Sequence, residues 1–261
     1  MYATERQGRI AEGIATQGRV SVVELASNFG VTTETIRRDL DALENAGLLR
    51  RVHGGAIAPR RASLVEPSLD ERFGMAGTAK AAIAARALEM IGRGYRGAVL
   101  IDAGSTTGAL ATLLPGHVAE NQANVDVVTH AVPIAHVLSA VPGIDLAVVG
   151  GQVRGLTAAA VGASTVHAIE NLRPDLAFVG VNGISADFGL STPEEREASV
   201  KTAMVRAARR TVALVDSSKL GDEALYRFAE LRDLDTLITD ADPIGTLSAA
   251  LDADEVEVIV A

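Results

Sequence analysis

The chain has 261 residues, enough for two domains with at least one sizeable core. It has no cysteine, which excludes disulfides, thiolate metal sites and cysteine nucleophiles, and only 3% aromatic residues, which leaves almost nothing for single-stranded nucleic acid to stack on. The net charge of −9 is unevenly spread: residues 1–61 carry nine Arg against seven acids, net +2, and the rest is −11, so the two ends are expected to meet different partners.

The start, "MYATERQGRI", has no apolar run, and the longest stretch free of Asp, Glu, Lys and Arg, Val127–Ile144, contains two His and two Pro. No signal peptide and no membrane span are expected, and the lack of cysteine fits a reducing cytoplasm.

Three helical patterns come first. One spans about 4–17, with Ile10 and Ile14 at i, i+4; a second opens at "SVVELASNFG", where Ser21 and Glu24 have capping-box spacing and Gly30 is the stop. The third, "VTTETIRRDLDALENAG", starts near Thr32, sets Ile36, Leu40 and Leu43 on one face and ends at Gly47. Two short helices, a Gly-containing turn and a longer helix outline a helix-turn-helix, and "LLRRVHGGAI" then has the basic, Gly-Gly form of a wing hairpin. Thr33, Glu34, Thr35, Arg37 and Arg38 stand where a recognition helix meets base edges; Arg50 and Arg51 in the wing suit phosphates, which position a protein on DNA without specifying sequence. The competing reading of these arginines is a solvated basic face.

The segment from "RQGRIAEG" to "HGGAI" resembles the winged helix-turn-helix of the DeoR family of bacterial transcriptional regulators, through Thr35 to Leu40, Leu43-Glu44, Gly47, Arg51 and His53 to Ala56. The resemblance implies that residues 1–58 bind double-stranded operator DNA, with His53 joining the contacts. Residues 59–76, mixed in charge and with little periodicity, read as a linker.

From residue 77 to 261 strand and helix patterns alternate. Helices are expected at 78–91, 105–114, 132–140, 162–172 and 193–209, and strands at 98–102, 125–129, 145–149, 176–181 and 211–215, with apolar runs at 236–239 and 256–260. This predicts a three-layer α/β domain with a largely parallel sheet covered on both faces. "GRGYRG", Gly92–Gly97, fits a dinucleotide fingerprint literally but follows a helix and leads into a strand, the reverse of the context that chemistry needs.

The turn "AGSTT", Gly104 to Thr107 at its core, has the right context, a strand before and a helix after, and lacks the Lys of a nucleoside-triphosphate loop. It reads as a cradle for a simple phosphate ester at a helix N-terminus. Polar clusters recur after other strands: "THA" with Thr129 and His130, "GGQVRG" with Gly151 and Arg154, "VNGIS" with Asn182 and Gly183, and "DSSKLG" with Lys219. Strand carboxyl ends are where open parallel sheets bind ligands. In "TPEEREASVKTAMVRAARR", Thr192, Pro193 and Glu195 predict a capped start, while Lys201 lies on an otherwise apolar stripe with Glu197 at i−4, a pair suited to a cavity.

These motifs, with "IDAGSTT", "VTHAVPIA" and "DSSK", also resemble the DeoR-family sensor domain, which is related in fold to ribose-5-phosphate isomerase and glucosamine-6-phosphate deaminase and binds phosphorylated sugars or polyols. The resemblance implies phosphate contacts from Ser105, Thr106 and Thr107, with Lys80 as a further candidate. It also implies polar contacts from Asp102, Arg154, Asn182, Glu197, Lys201 and Lys219. His130-Ala131 stands where many members have Asn-Ser, which bears on sugar identity. An isomerase with an appended DNA-binding domain is the alternative, but Asn182 and Ser185 stand where the isomerase relatives have acids. A repressor released by a phosphorylated sugar is expected, homodimeric or homotetrameric, with no catalytic residues, metal or cofactor.

Overall fold

The computed structural model describes residues 2–17, 19–46, 48–52, 54–57 and 66–261, and the chain divides into two compact units, Met1–Ala62 and Ser63–Ala261.

The first unit contains α1 (Ala3–Gln17), β1 (Arg19–Ser21), α2 (Val22–Phe29), α3 (Thr33–Asn45), β2 (Arg50–Val52) and β3 (Gly55–Ile57). Ile10 and Ile14 of α1 join Leu25, Ile36, Leu40 and Leu43 in one buried cluster, as the helical spacing predicts. Gly30 ends α2 in the left-handed region at φ 63, and the Thr32 hydroxyl caps α3 by accepting the Thr35 amide at 3.2 Å. The capping box expected at Ser21 does not form, because Ser21 is the last residue of β1, paired with Gly55, and makes no side-chain cap. The strands form an antiparallel sheet in the order β1-β3-β2. A Cβ on Gly55 would lie 2.0 Å from the Val20 carbonyl oxygen, so only glycine lets the hairpin close onto β1. A buried ion pair, Arg6 with Asp39, ties α1 to α3.

The second unit opens with α4 (Leu69–Gly74), α5 (Gly77–Leu88), β4 (Arg96–Ile101), α6 (Ser105–Asn121), β5 (Asn124–Thr129), α7 (Val132–Leu138) and β6 (Ile144–Val148). It continues through β7 (Gln152–Arg154), β8 (Ala159–Val161), α8 (Ala163–Glu170), β9 (Leu176–Gly180), β10 (Gly183–Ser185), β11 (Gly189–Thr192) and α9 (Glu195–Ala207). It closes with β12 (Arg210–Val215), β13 (Tyr226–Ala229), β14 (Thr236–Thr239), α10 (Thr246–Ala253) and β15 (Glu257–Val260).

Seven strands form one parallel sheet in the order β15-β14-β12-β9-β4-β5-β6. Its strands alternate apolar side chains between two cores: Val99, Ile101, Phe178, Val212 and Leu214 pack with α5, α6 and α7, while Leu100, Ala177, Val179, Ala213 and Val215 pack with α8, α9 and α10. Both faces are therefore buried, as the near-continuous apolar strands require. From β4 the chain winds outward through β5 to β6, then returns to β9 on the other side of β4 and winds the opposite way. The crevice at that reversal is where such sheets take ligands.

Three sequence expectations change. Residues 66–76, read as linker, include α4, which starts with a Ser68–Glu71 capping box and lies in the larger unit. Helix α6 continues past Pro115 to Asn121, since losing one backbone bond does not outweigh burying Val118. The cap of α9 is Glu194, whose carboxylate accepts the Glu197 amide at 2.9 Å; Thr192 ends β11 and donates its hydroxyl to Asn182.

Candidate functional site

In the first unit, Thr33, Glu34, Arg37 and Arg38 of α3 are exposed and Thr35 partly so. Glu34 lies 3.7 Å from both arginines, and exposed pairs that loose are worth at most about 1 kcal/mol, so neither guanidinium is committed to it. Arg51 pairs with Asp41 and its amide donates to Glu44 at 2.7 Å, which sets the hairpin against α3. Thr33, Arg37, Arg51, Gly54 and Gly55 line one open cleft with Val22. Arg50 lies on β2, and its side chain and all of His53 fall outside the described residues.

In the second unit, Asp102 follows β4 at the sheet's reversal and is fully buried. Its Oδ2 accepts the Gly180 amide at 2.9 Å and the Lys201 ammonium, which also donates to the Gly180 carbonyl at 2.9 Å. Its Oδ1 faces His130 Nε2 at 3.2 Å, while His130 Nδ1 donates to the Ala160 carbonyl at 2.8 Å. Burial pushes the Asp102 carboxyl up, but the Lys201 ammonium and the His130 ring outweigh it and hold it at about 2. Lys201 does sit on the buried stripe of α9, 5.5 Å over the Phe228 ring, but its carboxylate partner is Asp102 rather than Glu197.

Glu197 instead accepts from Arg154 at 3.0 Å and from the Thr157 hydroxyl. Arg154 also holds Glu66 at 2.7 Å, and Arg72 lies 3.6 Å from the same carboxylate. Glu66, Arg72 and Thr157 escaped the sequence reading; the "SLDE" capping box beside Glu66 was the available signal that this stretch is structured.

Helix α6 begins at Ser105 with Gly104 as its cap and no side-chain cap bond, so its first amides point to the sheet's carboxyl end. Ser105, Thr106 and Thr107 are all buried, and Thr107 donates its hydroxyl to the Gly104 carbonyl at 3.1 Å. A small pocket of about 50 Å³, partly open to solvent, brings Gly104 and Gly108 together with Thr157, Leu69 and Phe73.

Other expected contacts have structural employment. Lys80 donates to the carbonyls of Arg72 and Met75 at 2.5 and 2.6 Å. Thr129 joins β5 to β4 through the Ile101 carbonyl at 2.8 Å. Gly151 and Gly183 make close approaches, since a Cβ would lie 2.0 Å from Thr165 Oγ1 and 2.4 Å from the Asp222 carbonyl oxygen respectively. Asn182 accepts from Thr192 at 3.1 Å, and Lys219 is half-buried on the 3-10 turn Ser217–Lys219 after β12. Among the described residues no helix is long and apolar enough to cross a membrane, and no cluster of His, Asp and Glu is arranged to hold a metal.

Two family models match: the DeoR-like helix-turn-helix domain over residues 6–62 and the DeoR C terminal sensor domain over residues 76–241. The HTH-type transcriptional repressor GlcR of Bacillus subtilis is 32% identical over all of this chain and 97% of its own. The glycerol-3-phosphate regulon repressor of Escherichia coli K12 is 32% identical over 93% of each chain, and the putative aga operon transcriptional repressor of Escherichia coli O157:H7 is 32% identical over 91% of this chain and 86% of its own. Among solved structures, ribose 5-phosphate isomerase A of Methanocaldococcus jannaschii aligns with 54% of this chain and 52% of its own at 17% identity and a TM-score of 0.39. With both models matched and full-length relatives of this kind, the chain belongs to the DeoR family, as a DNA-binding transcriptional regulator with an effector sensor rather than an enzyme.

Proposed function

We propose that this chain is a cytoplasmic, homo-oligomeric repressor whose hold on operator DNA is released by a phosphorylated sugar or polyol. One observation carries the reading. The start of α6, with Ser105, Thr106 and Thr107, lies at the same strand ends as the buried Asp102–Lys201 pair, so an anion-favouring helix terminus and fixed polar groups share one crevice. The names of relatives point the same way, one being the repressor of a glycerol-3-phosphate regulon. Two-fold operator sites are the norm for helix-turn-helix readers, which supports an oligomer.

The test is fluorescence anisotropy on a DNA fragment selected for binding, titrated with a panel of sugar and polyol phosphates. One member of the panel is expected to release the DNA, and Thr106→Asp, which sets a like charge against the phosphate, to abolish that release while leaving ligand-free DNA binding intact. Release at an unchanged ligand concentration in the variant places the phosphate elsewhere, and conversion of the ligand to an isomer overturns the sensor reading.

A further inference from the structure

The segment that leads into the sensor fills part of its crevice with a charge of its own. The Glu66 side chain is only 3% exposed, and its carboxylate lies between two guanidinium groups, Arg154 at 2.7 Å and Arg72 at 3.6 Å. Burial and the nearby Glu197 push the Glu66 carboxyl up against the pull of both arginines, so the carboxylate is held there at a cost. The fit is also incomplete: both Glu66 carboxylate oxygens, like Arg72 Nε and Nη2, are buried with no hydrogen-bond partner among the described residues. Glu66 thus meets Arg72 by charge at 3.6 Å without hydrogen-bonding it, and an oxyanion able to reach those open donors would bind them more strongly than the carboxylate does.

The same segment covers the cradle. Leu69 and Phe73 share one pocket wall with Gly104 and Gly108, and the Leu69 amide donates to the Leu156 carbonyl at 3.0 Å. Charge decides what can take the place of Glu66. With Glu66 and Glu197 against Arg72 and Arg154 the cluster is neutral; a hydroxyl in place of Glu66 would leave a buried net positive charge, whereas a carboxylate keeps it neutral and a phosphate, at about −1.5 to −2, at least cancels it.

We propose that Arg72 and Arg154 form a second anion subsite, held by Glu66 until an anionic group of the effector displaces it and lifts residues 66–69 off the crevice. This rests on the sensor reading above and narrows the effector to a compound with two acidic groups, one for the start of α6 and one for the arginine pair.

The test is a 31P NMR titration of the full-length chain with inorganic phosphate at constant ionic strength. Glu66→Gln is expected to bind one more equivalent of phosphate than wild type, at roughly tenfold higher affinity than wild type shows for any second equivalent. That added equivalent persists in E66Q/T106D and disappears in E66Q/R154M. Equal stoichiometry in wild type and E66Q, or an added equivalent that survives loss of Arg154, overturns the proposal. If T106D removes nothing while E66Q still gains its equivalent, the cradle reading falls and the arginine subsite stands. Should E66Q not fold, hydrogen exchange on wild type decides: phosphate is expected to speed exchange of the amides in residues 68–75, and unchanged or slower exchange overturns the displacement.

Discussion

Removing the Lys201 ammonium strands a carboxylate that has no access to water. Lys201→Met is therefore expected to cost about 3–5 kcal/mol in urea unfolding, the usual penalty for breaking a buried pair, and Asp102→Asn in the same chain to restore most of it. Glu197 is unaffected at that position, since it keeps Arg154 and Thr157. The same pair sets an acid limit. Because the folded Asp102 carboxyl sits at about 2 against its ordinary 3.8, its contribution is fully present above the ordinary value and is lost as pH falls toward the lower one. Stability should drop by on the order of 2 kcal/mol across that window, and D102N should flatten this part of the pH profile. A D102N profile parallel to that of wild type would show that Asp102 is not what titrates.

At the scale of elements, α3 is fixed on one side by the buried Arg6–Asp39 pair and leaves Arg37 and Arg38 exposed on the other. Arg38→Ala should weaken binding to specific DNA by about 1–3 kcal/mol if the side chain reads a base, or reduce the salt dependence if it neutralises a phosphate. Unchanged affinity and slope would remove it from the interface. Gly55→Ala forces a Cβ into the Val20 carbonyl, backbone against backbone, so the wing should come off β1 and DNA binding should be lost while the sensor's melting transition stays where it was. Elements with a long apolar period, such as α3, α9 and the central strands, were legible in the sequence because period and burial agree there. What was not legible was local competition: Ser21 and Thr192 have the chemistry of caps, but strand pairing claims both residues. Strands of three or four residues, β7, β8, β10, β11 and β13, are too short to show any period. The Lys201 stripe was visible, yet its partner came from the turn after β4, 99 residues away, and no helix spacing could name it.

For the whole molecule, the boundary between reader and sensor falls before Glu66 rather than at Gly77 if residues 66–76 stabilise the sensor as their contacts indicate. A fragment 63–261 should melt with the sensor transition of the full chain. A fragment 77–261, lacking Glu66, Phe73 and the carbonyls that hold Lys80, should melt lower by roughly 2–4 °C for each kcal/mol lost. Equal melting temperatures in calorimetry would return those residues to the linker. The reversal of the sheet at β4 and β9 also orders events in time. Asp102 meets Gly180 and Lys201 only across 78 and 99 residues of chain, whereas β3, which completes the reader, ends at Ile57. Proteins are made from the amino end at about 5–20 residues per second, so a growing chain carries a finished reader for on the order of ten seconds or more before the crevice can close. During synthesis the strands and helices of the reader are thus all available to pair while the effector crevice is still open.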